Sequence, residues 1–385
     1  TTIYVRLAAT QASTGAKSGN VTLVGGGANS QSVAVSGTVN LQNAFYVNYA
    51  TGSDAANGTS SGTAWKTLAQ AFSGSGISGA NPYLYLEGAA DHQANDEYIG
   101  AGLDNLTIIG LGMGTTNIIP TTGFSNVQFL NIGGSTGITI RDLTIKNFAD
   151  NSNGAGIDIT TSGTVTLQDI NFDNNSGADY NCDGAALYVG SSSTVTVDRC
   201  KFTNNSTVNH NSTSGSCIYA EGNLTLQNSL FYDNVCNYGS NSDVDYSGHV
   251  YLQGSSSVSS IVNCTFTENG SGSPVIYKSG SSGAHTQKNN LFYNNSHNYD
   301  VVEKSGSGTD PEMDNCYYEA RYGGYNTGSE AGNLTSGSVN FTDASNDDFT
   351  LGTGSVCINA GTASGAPSED FAENARSDGS IDMGC

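Results

Sequence analysis

Four tyrosines recur at similar intervals along the chain: Tyr188, Tyr219 and Tyr251 lie at the centre of apolar triplets, and Tyr277 lies between Ile276 and Lys278. Side chains alternate across a strand, so the central residue of each triplet points away from its two neighbours. Stacking at about 4.8 Å per strand would line the four rings up over roughly 14 Å. Such a row can bind sugar rings or another protein. The alternative is a purely structural row that stiffens the fold. The complete predicted row is Tyr85, Asn131, Asp158, Tyr188, Tyr219, Tyr251, Tyr277 and Glu303.

Carboxylates beside this row are the candidates for catalysis. A glycoside hydrolase needs two carboxyl groups about 5–10 Å apart, and the candidate catalytic residues are Asp158, Asp245 and His249. Asp243 and Asp245 form an Asp-x-Asp pair that could ligate calcium, and no other cofactor is expected. A lyase needs a basic residue in the cleft. We expect Lys278 to be exposed to solvent at the end of its strand and not to serve as that base.

A second repeat predicts the fold that carries the row. Phenylalanines recur at similar intervals, and each is followed by an asparagine at the third position. A period of this length with short β-branched strands indicates a solenoid. We predict an all-β fold, a right-handed parallel β-helix with three strands per coil. The Phe–Asn pairs are Phe172–Asn175, Phe202–Asn205, Phe231–Asn234, Phe266–Asn269 and Phe292–Asn295.

The chain divides into four segments. Residues 1–40 contain three short strands and form a small N-terminal β segment. Residues 41–80 form the N-terminal cap, with a short helix over 64–72 that covers the open end. Residues 81–325 form the parallel β-helix, and residues 326–385 form its C-terminal end.

The composition excludes some function classes. The net charge is −22, from 12 basic and 34 acidic residues, so we expect no nucleic-acid partner. Polyuronates would be repelled unless calcium bridged them. No apolar run is long enough for a membrane span.

We do not expect all eight cysteines to form disulfides. Cys200, Cys264 and Cys316 lie at an inward position two coils apart, roughly 10 Å, which exceeds the reach of a disulfide. Cys357 and Cys385 are the best candidate pair. A further group, Cys182, Cys217 and Cys236, lies in or beside long loops, where one bridge can form. Any bridge would favour an extracytoplasmic location.

Three stretches resemble known proteins. The motif Tyr46-Val47-Asn48 with Trp65-Lys66-Thr67-Leu68 resembles the start of bacterial β-helix proteins of the pectate-lyase-like superfamily. The tail from Asp348 to Cys385 is similar to the end of "choice-of-anchor Q" proteins, which are secreted or surface-attached. Residues 1–40 resemble the last strands of Ig-like modules in Bacteroidota surface proteins. The resemblance implies a fold and a bacterial extracellular or cell-surface location.

Two functions remain open. The favoured one is an extracellular structural or adhesive protein, a subunit of a surface fibre or a modular adhesin, whose residues 1–40 bind another copy or an upstream module. The alternative is a carbohydrate-active enzyme, a glycan hydrolase or lyase, that binds glycan along the tyrosine row. A row covered by loops supports the first function, and an open row facing paired carboxylates supports the second.

Overall fold

The structure is a computed structural model that describes most of the chain. Residues 15–25 and 28–39 are described as backbone only. The fully described residues are 43–74, 76–88, 91–121, 126–177, 182–207, 215–236, 248–254, 257–270, 274–279, 283–296, 301–302, 312–319, 331–376 and 380–385, with 303–304 as backbone.

The tyrosine row lies on an eight-stranded parallel sheet, which we call the tyrosine sheet. Each strand is three residues long and pairs in register with the next coil, so the central residues form one straight row. The strands are Glu97–Ile99, Leu130–Ile132, Ile157–Ile159, Leu187–Val189, Ile218–Ala220, Val250–Leu252, Ile276–Lys278 and Val302–Lys304.

Two further parallel sheets complete each coil. The threonine sheet is named for its outward row, which runs through Thr139, Thr166, Thr196 and Thr225. Its strands are Ala44–Val47, Tyr83–Leu86, Thr107–Ile109, Ile138–Lys146, Thr164–Asp173, Thr194–Asp198, Asn223–Gln227, Ser259–Val262, His285–Lys288 and Glu312–Asp314.

The phenylalanine sheet follows it in each coil. Two long strands, Ile138–Lys146 and Thr164–Asp173, belong to both sheets and bend at a residue with positive φ, Asp142 or Asp169. Its other strands are His92–Ala94, Asn117–Pro120, Lys201–Thr203, Leu230–Tyr232, Thr265–Thr267, Leu291–Tyr293 and Tyr317–Tyr318. The predicted three-sheet parallel β-helix is confirmed.

Smaller elements surround these sheets. Helical structure in the described residues is limited to the α-helix Leu68–Phe72 and two 3-10 turns, Ser61–Thr63 and Ala344–Asn346. None of the described helices is long and apolar enough to cross a membrane. A short sheet with a fourth strand per coil comprises Ala149–Asp150, Ser176–Gly177, Ser206–Thr207 and Val235–Cys236. The antiparallel pairs are Gly15–Gly25 with Ala28–Val39, and Phe341–Asp343 with Asp348–Leu351.

The phenylalanines form one continuous stack inside the coils. All five, from Phe172 to Phe292, are at most 1% exposed, as the sequence predicts. Their ring centroids lie 4.4–5.0 Å apart in successive pairs. The N-terminal end is closed by Trp65, whose ring stacks on Phe45 at 5.6 Å. The capping helix is shorter than predicted because Trp65 pairs with Val47 in an isolated parallel bridge instead of entering the helix.

The asparagines that follow the phenylalanines form a buried ladder. In Asn234, for example, Oδ1 accepts hydrogen bonds from the backbone N–H (2.9 Å) and the Nδ2 (3.0 Å) of Asn205. Its Nδ2 donates to the carbonyl of Phe202 and to Oδ1 of Asn269, at 2.8 and 2.9 Å. Each amide from Asn175 to Asn269 therefore bonds the coils above and below it. The ladder is formed by Asn175, Asn205, Asn234, Asn269 and Asn295.

The C-terminal segment folds back along the bend between the threonine and phenylalanine sheets. Residues with positive φ occupy this bend in successive coils, and several of them bond the returning segment. Asn289 donates to the carbonyl of Thr362 at 2.9 Å, and Asn263 donates to that of Gly384 at 3.1 Å. Further along, Arg199 contacts Glu373 at 3.4 Å and Asp169 at 2.9 and 3.0 Å. The segment thus ties several coils together.

All eight cysteines are free thiols in the structure. Cys200, Cys264 and Cys316 are buried as predicted. The predicted bridge between Cys357 and Cys385 is absent. Cys357 packs among Leu291, Tyr317 and Met383, whereas the Cys385 sulfur lies 3.4 Å from Thr265 Oγ1.

Replacing Phe231 with Ala should lower the free energy of unfolding by roughly 3–5 kcal/mol, because the cavity would interrupt the stack on both sides. Urea denaturation followed by circular dichroism measures this loss. The control is Tyr98→Ala, whose ring is 56% exposed and should cost less than about 1 kcal/mol. A loss below about 1 kcal/mol for Phe231→Ala would contradict the stacked core.

Candidate functional site

The four tyrosines form a stacked row on the outer face of the tyrosine sheet. Neighbouring ring centroids lie 5.5, 5.0 and 5.0 Å apart, with interplanar angles of 9°, 5° and 17°. Tyr219, Tyr251 and Tyr277 are buried, at 5%, 6% and 0% exposure, and only Tyr188 is partly exposed. The ring faces therefore pack against one another, and the row is shielded from solvent along most of its length.

Burial and acidic neighbours also control the ionisation of these rings. Desolvation, followed by the charge of Glu221, raises the pKa of Tyr188 to about 12. Desolvation, followed by the charge of Asp183, raises the pKa of Tyr219 further. The hydroxyls stay protonated at neutral pH, so neither phenol can act there as a base.

The beginning of the row differs from the sequence prediction. Tyr85 does not belong to it, because the strand Tyr83–Leu86 pairs with Ala44–Val47 and Thr107–Ile109 in the threonine sheet. The first residue of the row is Tyr98, which pairs with Asn131 and is 56% exposed. The sequence pattern that indicates this strand is the triplet Glu97-Tyr98-Ile99 followed by Gly100. Its first residue is acidic, so the triplet departs from the repeat.

Asp158 lies in the open part of the row, between Asn131 and Tyr188. Its Oδ2 accepts a hydrogen bond of 2.7 Å from Asn131 Nδ2, and its Oδ1 is buried with no hydrogen-bond partner in the described part of the chain. Desolvation raises the pKa of Asp158 to about 6, against the hydrogen bond from Asn131. A carboxyl group of this kind can hold a proton in mildly acidic solution.

The structure does not bring the candidate catalytic residues Asp158 and His249 together. His249 precedes the strand Val250–Leu252, three strands from Asp158 along the sheet, which is about 14 Å. It is buried, with Nδ1 2.7 Å from Ser216 Oγ. Asp243 and Asp245, the calcium candidates, lie outside the described residues. Within the described residues no group of three or more His, Cys, Asp or Glu side chains could hold a metal ion.

Lys278 was expected in solvent and is instead completely buried. It ends the strand Ile276–Lys278, and its register partner in the coil below is the buried Leu252. Because Ile276 points inward, the alternation of a strand also places Lys278 inside. It therefore does not contribute a base to the outer face.

A small cleft lies between the phenylalanine sheet and the C-terminal segment, with Lys201 and Leu230 on one side and Phe349 and Phe371 on the other. The Lys201 ammonium sits 5.6 Å from the centroid of the Phe371 ring. Asp370 also lines it, but its oxygens accept bonds from the backbone of its own loop. The polar groups of this cleft, Lys201 and Asp370, therefore mainly hold the C-terminal segment in place.

The burial of Glu97, at the beginning of the row, makes the stability of the folded protein depend on pH. Desolvation raises the pKa of this 7% exposed carboxyl group from 4.5 to about 7. The unfolded chain releases this proton at lower pH than the folded protein, so the stabilisation is complete below about pH 4.5 and is lost as the pH rises to about 7. Glu97→Gln should therefore stabilise the protein at pH 8 by about 2–3 kcal/mol and flatten the profile.

Urea denaturation between pH 4 and 8 measures this effect. The exposed Glu312 provides the control variant Glu312→Gln, which should leave the profile as it is in the wild type. Equal profiles for Glu97→Gln and the wild type would contradict the raised pKa of this buried carboxyl group.

Comparison with known proteins agrees with this architecture. Residues 128–338 match the family described as "Right handed beta helix region", and the match spans more than half of the chain. A comparison with curated proteins found no match. The chain therefore belongs to the right-handed β-helix family.

Proposed function

We propose that the protein is an extracellular structural or adhesive β-helix, a subunit of a surface fibre or a modular adhesin of a bacterial cell. The observation that carries this proposal is the burial of the tyrosine row. Three of its four rings are at most 6% exposed, so the row stiffens the coils and leaves no long aromatic platform for a glycan chain. The similarity of the tail to "choice-of-anchor Q" proteins supports a surface location.

The N-terminal hairpin supports an assembly role. The strands Gly15–Gly25 and Ala28–Val39 form a two-stranded sheet, and no other described strand pairs with either outer edge. Isolated hairpins are marginally stable, and strand addition is a common way to complete them. We infer that residues 1–40, as the last strands of an Ig-like module, bind an upstream module or a neighbouring copy. Of the three strands predicted for residues 1–40, the first, at Ile3–Leu7, lies outside the described residues.

One feature of the structure supports the alternative function, a carbohydrate-active enzyme. The open end of the row offers Tyr98, Asn131, Asp158 and Tyr188, and the raised pKa of Asp158 suits a general acid. Release of reducing ends from neutral polysaccharides by the wild type, abolished in Asp158→Asn, would favour the enzyme over the structural protein.

Deleting residues 1–40 tests the assembly proposal. The intact chain should form particles larger than a monomer that grow with concentration, because head-to-tail contacts propagate unless they close into a ring. The deleted chain should be monomeric. Light scattering coupled to size exclusion measures both, and circular dichroism checks that the β-helix remains folded. An intact chain that stays monomeric at every concentration would contradict self-assembly.

A further inference from the structure

The cleft between the phenylalanine sheet and the C-terminal segment has apolar walls. Leu230 and Phe349 line it and are each 6% exposed, and the ring of Phe371 is partly exposed. Phe349 also packs against Tyr232, with 5.1 Å between the ring centroids. The cleft has a volume of about 220 Å³, less than the roughly 300–1,000 Å³ of pockets that bind drug-sized ligands. Its size therefore suits a ligand with a single small ring.

The charged groups of the cleft are mostly carboxylates. Asp347, Asp348 and Asp370 line it, against a single ammonium group, that of Lys201. Asp348 and Asp370 accept hydrogen bonds from the backbone of their own turns. In the described part of the chain, the carboxylate of Asp347 has no hydrogen bond or ion pair, and the ammonium of Lys201 forms no ion pair. The cleft therefore carries an excess of negative charge that Lys201 does not neutralise.

Neighbouring groups respond to this negative charge. Desolvation, followed by the charge of Asp347, raises the pKa of Tyr232 to about 12 and also raises the pKa of Asp233. A cation in the cleft would offset this repulsion. Within the ranges that the structure describes, no three acidic, cysteine or histidine side chains are grouped so that they could hold a metal ion. The carboxylates of the cleft therefore do not converge on one point, which suits an organic cation better than a metal ion.

We propose that this cleft binds a small organic cation, an ammonium group carried on a single aromatic ring or a short aliphatic chain. The ammonium group lies beside Asp347 and Asp348, and the apolar body packs against Phe349 and Phe371. The body gains from leaving water, and the faces of aromatic rings attract cations. The protein already contains one such contact, because the Lys201 ammonium lies 5.6 Å from the centroid of the Phe371 ring.

Titration of the intact protein with benzylammonium tests this site. Ligand-observed NMR at neutral pH and constant ionic strength measures the binding, and benzyl alcohol and benzoate serve as neutral and anionic compounds of similar size. Benzylammonium should bind saturably, with a dissociation constant on the order of 10 mM for so small a ligand. It should bind roughly two- to fivefold more tightly than benzyl alcohol, and benzoate should bind most weakly. Equal affinities for the three compounds, or no saturable binding of benzylammonium, would overturn the proposal.

Three variants locate the binding in the cleft. Asp347→Asn removes one carboxylate and keeps a residue type that tolerates the positive φ of this position, so it should weaken benzylammonium binding roughly two- to fivefold. Glu312→Gln removes the same charge at an exposed position that does not line the cleft, and should leave the affinity as it is in the wild type. Lys201→Met removes the competing ammonium and should strengthen the binding, which an anion site would not show.

Circular dichroism checks that each variant is folded. Because the expected changes for Asp347→Asn and Lys201→Met have opposite signs, a general loss of structure cannot produce both. Equal affinities of Asp347→Asn and Glu312→Gln, or weaker binding of benzylammonium by a folded Lys201→Met, would overturn the proposal.

Discussion

The buried asparagine ladder is the interaction on which the rest of the structure depends. A primary amide in an apolar interior is tolerated only when its oxygen and both N–H groups are bonded. Each interior rung meets this condition through the coils above and below, with Nδ2-to-Oδ1 distances of 2.9–3.1 Å. The ladder therefore fixes the register of successive coils, because a shift of one residue would leave these amides unsatisfied.

Both aromatic stacks follow from that register. With the coils locked, the phenylalanines stack inside at 4.4–5.0 Å and the tyrosines stack outside at 5.0–5.5 Å. The returning C-terminal segment adds bonds from Asn263 and Asn289 on another side of the coils. Restraints on several sides make a stiff rod. Such a rod is compatible with the structural or adhesive role that we propose.

The sequence predicts the repeating part of the fold well and its boundaries poorly. The Phe–Asn pairs recur once per coil, so both the sheet and the inward face follow from spacing alone. The first coils lack this pair, and Tyr85 was therefore placed in the tyrosine row instead of Tyr98. The burial of Tyr219 and Tyr251 depends on what covers the sheet, which strand periodicity does not encode. The prediction for Lys278 is wrong for a different reason. Strand alternation from Ile276 predicts that Lys278 points inward, but the prediction of an exposed side chain follows the usual preference of lysine for solvent.

The unfolding free energy of Asn234→Ala tests the central claim most directly. The substitution removes the acceptor of two Asn205 donors and the donor to the Phe202 carbonyl, all in the interior. At roughly 1–3 kcal/mol for each group left unsatisfied, the loss should reach at least about 3 kcal/mol. The control is Thr164→Ala, on the exposed side of the threonine sheet, with an expected loss below about 1 kcal/mol. A loss for Asn234→Ala no larger than that of the control would contradict the claim that the ladder holds the coils in register.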